Sequence, residues 1–127
     1  MSGLTEHREA VEALLVAAGV NLAASTYTVV THIDGGPGAD DDRRGSGGFG
    51  ARDFLVHTNI HAQDKGQAEA VLDRVMAIET RRPVVEGRLC DPLTVYIAAN
   101  PANENDDLVS RDVWSASVVW RLRSYAA

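Results

Sequence analysis

Hydrophobic and polar positions repeat along this chain with two different periods, and the changes of period mark the elements. Leu4, Val11, Leu14, Leu15 and Ala18 fall on one helical face. Glu6, Glu9 and Glu12 load the early turns with the charge that a helix N-terminus favours, and Gly19 suits a left-handed stop. From Thr26 to Ile33 the period becomes two: Tyr27, Val29, Thr31 and Ile33 alternate with Thr28, Val30 and His32. Asp53 to Ala62 repeats that pattern, with Phe54, Val56, Thr58 and Ile60 set against Leu55, His57, Asn59 and His61. The stretch Asp64 to Pro83 returns to helical spacing, with Ala68, Val71, Leu72, Val75 and Ile78 as its apolar stripe. Asp64 is placed to cap this helix, Gln67 stands three residues on, and Pro83 is expected to end it.

The segment Val84 to Cys90 reads as a short strand or turn leading into another strand, in which Leu93, Val95 and Ile97 form the packed side. Residues 99–112 are polar, contain Pro101 and read as an exposed acidic loop. Trp114, Ala116, Val118, Trp120 and Leu122 then alternate with Ser115, Ser117, Val119, Arg121 and Arg123 in the clearest strand of the chain. The expected fold class is α+β: a mostly antiparallel sheet of four to five strands with two helices packed on one face, in a single domain spanning 1–127. Two helices with one apolar stripe each can cover only one face. The other carries His57, Asn59, His61, Thr94, Tyr96, Ser115 and Ser117, and water or another subunit must meet it.

Residues 34–50 break the pattern, holding seven of the eleven glycines and four of the eighteen acids. They read as a long, mobile connection between the first two strands. Gly45, Gly47 and Gly50 have dinucleotide-motif spacing, but a strand follows where that motif needs a helix N-terminus. Asp40, Asp41 and Asp42 lack the alternating spacing and later glutamate of a calcium-binding loop.

Composition narrows the function. The formal net charge of −6, with one lysine among twelve basic residues, argues against gripping DNA, because phosphate neutralisation supplies most of such affinity. No apolar run approaches the ~18 residues of a membrane span, and the N-terminus lacks the layout of a secretion signal, so no membrane role is expected. Cys90 is the only cysteine, which excludes an intrachain disulfide and a cysteine-based zinc site; it is expected to be a small buried residue. His57 and His61 share a strand face, but four residues of strand place them ~13 Å apart, too far for one zinc ion. His7 is expected to be a partly buried structural histidine. No nucleophile motif or paired carboxylate stands out, so no enzymatic activity, metal or cofactor is expected.

The helical start EAVEALLVAAGV, the strand YTVVTHIDGG, the Gly- and Asp-rich loop, the strand and following stretch RDFLVHTNIHAQDKGQAEAVLDRVMAIETRRPVVEGRLC and the closing WSASVVWRLRSY resemble the tail terminator proteins of long-tailed bacteriophages, also called minor tail or tail completion proteins. The likeness covers nearly the whole chain and centres on Gln67 to Thr80 followed by Arg81-Arg82-Pro83 and Gly87-Arg88. It implies a homo-oligomeric ring, usually of six subunits, that caps the head-proximal end of the tail tube. Its partners would be its own copies, the major tail tube protein and the head-tail connector, with DNA sliding through the lumen unbound. It would be made in the host cytoplasm and end in the virion tail. On this reading Asp40, Asp41, Asp42, Glu104, Asp106 and Asp107 line the lumen or its rim, where like charge repels phosphate. Arg43, Arg44 and Arg52, with His57, Asn59 and His61, would meet a neighbouring subunit or the tube. The alternatives are a head-side connector or stopper subunit, and a small-ligand-binding domain using His32, His57 and His61.

Overall fold

The switches between helical and strand periods predict the element order seen in the computed structural model, which describes residues 3–35, 52–106 and 111–126, the side chains of 103–106 and 111–112 excepted. That order is α1 (Leu4–Ala17), β1 (Tyr27–Asp34), β2 (Arg52–Ala62), α2 (Lys65–Met76), β3 (Arg88–Cys90), β4 (Thr94–Asp106) and β5 (Arg111–Ala126). The strands form one antiparallel sheet in which β1 pairs β2 and β2 pairs β5. On the far side of β5, β4 and the short β3 pair with successive parts of the same strand. The fold is therefore α+β, as the pattern predicts.

Both helices end as their local chemistry requires. The Glu6 carboxylate accepts the Gly3 N–H at 3.0 Å, and backbone N–H donors, its own and that of Gly3, hold this exposed acid below its usual pKa. At the other end Gly19 takes φ +90°, while Gly19 N–H reaches Val16 O and Val20 N–H reaches Leu15 O, each at 3.0 Å. That bond pair is a Schellman stop, completed by the buried Leu15 and Val20. Asp64 caps α2, its Oδ1 accepting the Gln67 N–H at 2.7 Å. The helix stops at Met76, well before Pro83. Thr80 enters the left-handed region at φ +68° and exchanges the helical ladder for a bond from its N–H to Leu93 O at 2.9 Å. Ile78 stays buried beyond the helix end.

The core lies between the helices and one sheet face. Phe54, Val56 and Ile60 of β2 join Ala116, Val118, Trp120 and Leu122 of β5, beneath Val11 and Leu15 of α1 and Ala68, Val71 and Val75 of α2. Trp120 is fully buried and its indole N–H donates to Thr58 Oγ1 at 3.1 Å, so the largest core side chain leaves no donor unpaired.

Two expectations for the second half are corrected. Residues 99–106, 111 and 112 are not loop: β4 continues to Asp106, β5 begins at Arg111, and the two pair from Thr94↔Arg121 to Asp106↔Arg111. Its polar sequence is tolerated because β4 lies at a sheet edge, and Pro101 falls inside a register shift between Ala99 and Ala102 where no ladder bond is required. A second shift, between Val95 and Ile97, turns Ile97 out to 55% exposure although Leu93 and Val95 lead into the core. The glycine-rich stretch falls outside the described residues from 36 onward. Among the described residues no helix is long and apolar enough to cross a membrane.

Candidate functional site

Strand alternation sends every second side chain of the sheet away from the helices, and register assembles these into one uncovered face. Thr28, Val30, His32 and Asp34 of β1 stand opposite His61, Asn59, His57 and Leu55 of β2. Those in turn face Ser115, Ser117, Val119 and Arg121 of β5, and Ile97 and Ala99 of β4 lie opposite Val119 and Ser117. The predicted set His57, Asn59 and His61 is thus brought together on one surface.

That surface is amphipathic. Val30, Tyr96 and Ile97, at 54%, 47% and 55% exposure, are three of the seven exposed large hydrophobics among the described residues. Tyr96 and Ile97 are neighbours on β4, whereas Val30 stands on β1, with polar His57, Asn59 and Ser117 of β2 and β5 between them. Its polar groups are held in place by their neighbours. The Arg121 guanidinium stacks over the Tyr96 ring, 5.1 Å from its centre. Arg123 Nε lies 3.5 Å from Asp53 Oδ1, and His61 Nδ1 lies 3.1 Å from Ser115 Oγ. Because Ala99, Ala102, Ser115 and Ser117 are small, an open depression of about 270 Å³ forms beside Asn59 and His61.

At the β1 side two imidazoles converge on one carboxylate. His32 Nε2 bonds Asp34 Oδ1 at 3.0 Å, and the two rings lie 5.6 Å apart. His57 Nε2 lies 3.1 Å from Asp34 Oδ2 yet is shielded from water and makes no hydrogen bond, so this approach is electrostatic contact with poor alignment. Asp34 was missed from the sequence as a partner of these histidines. The signal was available: it follows His32 by two residues on the same strand face. Among the described residues no group of three or more His, Cys, Asp or Glu is arranged to hold a metal ion.

The remaining predicted residues fall elsewhere. Arg52 stands on the opposite, helix-covered side, its guanidinium 5.0 Å from the centre of the Phe54 ring, and is not grouped with the histidines. Glu104 and Asp106 are strand residues near the end of the β4–β5 hairpin, placed by pairing with Val113 and Arg111. Asp40, Asp41, Asp42, Arg43, Arg44 and Asp107 lie outside the described residues.

A Ser–His pair unnoticed in the sequence lies on the covered side. His7 Nε2 is 2.9 Å from Ser124 Oγ, but both residues are fully buried, so the pair has no access to a substrate. Cys90 is buried beside them; desolvation pushes its thiol pKa up, with Ser124 and Arg88 opposing, and leaves it an unreactive thiol. Comparison with models of known protein families finds no match, and comparison with curated proteins finds no significant match either.

Proposed function

We propose that this protein is a structural subunit of the phage tail-terminator kind: a ring-forming virion protein that caps the head-proximal end of the tail tube, ends its polymerisation and offers a joining surface to the head connector. The observation that carries the reading is the uncovered, amphipathic sheet face built from Val30, His57, Asn59, His61, Tyr96, Ile97 and Val119. A sheet face left uncovered by the helices of a small two-layer protein is available for contact with another subunit. The sequence resemblance supplies the kind of assembly, and the acid-rich composition suits a channel through which DNA slides without sticking. No catalytic role is included in the proposal.

The test is to add the purified protein to polymerising tail tube protein and measure tube length by electron microscopy. Substoichiometric arrest of growth, with protein at one tube end, is the expected result. Growth to the same length with and without it would refute the reading. Binding to portal-side components alone would move the protein to the connector or stopper class. The small-ligand alternative has one observation in its favour, the convergence of His32, Asp34 and His57. A retained small molecule in native mass spectrometry would bring it forward.

A further inference from the structure

We propose that His7 is the bolt of an acid-released clasp that holds the start of helix α1 against the sheet through Ser124 and Arg88. The clasp joins elements far apart in sequence. His7 Nδ1 is 2.6 Å from Gly3 O, Nε2 is 2.9 Å from Ser124 Oγ, and that oxygen is 2.9 Å from Arg88 Nε. Arg88 Nη2 also donates to Ser124 O at 3.1 Å, tying β3 to the end of β5.

The acceptors fix every proton. The Gly3 carbonyl can only accept, so Nδ1 carries the imidazole hydrogen. Nε2 then offers a lone pair, which takes the Ser124 hydroxyl hydrogen, and Ser124 Oγ in turn accepts from Arg88 Nε–H. The neutral ring satisfies the whole chain. A second imidazole proton would reverse the middle link: Nε2–H would point at Ser124 Oγ, and the hydroxyl hydrogen would lose the acceptor it has on the ring.

The surroundings also oppose the added charge. His7 is fully buried, its ring 4.5 Å from that of Phe54, which in turn packs under the Arg52 guanidinium. The charged groups that face it are Arg88 from β3, Arg52 from β2 and Glu6 from its own helix. Burial lowers the His7 pKa from 6.5, Arg88 and Arg52 lower it further, and the Gly3 bond and exposed Glu6 oppose them. A group held below its free value loses stability for the closed form as pH falls from about 6.5 toward the folded value, because only the open form takes the proton. The start of α1 therefore loosens in acid before the carboxylates titrate, which on average happens near pH 4.

The experiment is amide hydrogen exchange of the intact protein between pH 7.5 and 5.5, corrected for the intrinsic pH dependence of exchange. Protection of the Arg8 to Glu12 amides should fall by up to about tenfold per pH unit below 6.5, while α2 holds steady. The His7→Gln variant, whose amide can donate to Gly3 O and accept from Ser124 without titrating, should lose that dependence. A wild-type α1 whose protection stays flat, a fall shared equally by α2, or the same fall in His7→Gln would each overturn the proposal. Should the variant fail to fold, the imidazole NMR titration of wild-type His7 decides. Titration below 6.5 with the neutral proton on Nδ1 supports the clasp, and titration at or above 6.5 refutes it.

Discussion

The two faces of one sheet are built from adjacent residues of the same strands, yet they follow different rules. On the covered face Phe54, Val56, Ile60, Trp120 and Leu122 are fully buried, and the buried polar atom of Thr58 is answered by the Trp120 indole. One residue further along each strand, His57, Asn59, His61 and Ser117 face outward with exposed Val30 and Ile97. Stability should therefore reside on the first face and assembly on the second, because close packing penalises any lost volume whereas a surface substitution rarely moves the fold.

Substitutions on the two faces should therefore differ in what they do to stability. Trp120→Ala should cost about 3–5 kcal/mol in urea unfolding, since it removes the largest buried side chain and strands Thr58. A loss near zero would mean that the core does not depend on this face. Gly19→Ala should cost roughly 1–2 kcal/mol, because an alanine pays for the left-handed backbone at φ +90° although its methyl meets open space. Asp64→Ala should remove about 1 kcal/mol by taking away the α2 cap, again read by urea unfolding. Ile97→Arg on the uncovered face should change stability by less than about 0.5 kcal/mol. An unfolding midpoint shifted as far as that of Trp120→Ala would erase the distinction between the faces.

Alternation made most of this fold legible. The two-residue period of Phe54 to Ile60 and of Trp114 to Leu122 put the right side chains inward, and the 3–4 spacing of α2 put Ala68, Val71 and Val75 in the core. What failed was local. Ile97 was expected in the core because alternation was carried through a register shift that hydrophobicity does not encode. The 99–106 segment read as loop because an edge strand needs little apolar content, and pairing with β5 supplies what its composition lacks. The α2 end was placed too late because Pro83 is a visible breaker, whereas the left-handed Thr80 owes its position to a backbone bond with distant Leu93. Of the candidate site, strand parity alone grouped His57, Asn59 and His61. Parity also placed His32 with them, but joining Asp34 to His32 and His57 required the β1–β2 register, and the His7–Ser124 contact spans 117 residues that no local pattern bridges.

Under the proposed function, the uncovered face carries the contacts with neighbouring subunits and with the tube. Light scattering of wild-type protein and Ile97→Arg, each alone and mixed with tube protein, puts this to the test. A closed ring or a capped tube complex is expected for the wild type, and a folded, non-assembling monomer for the variant. A wild type that stays monomeric with tube protein present, or a variant that assembles equally well, would contradict it.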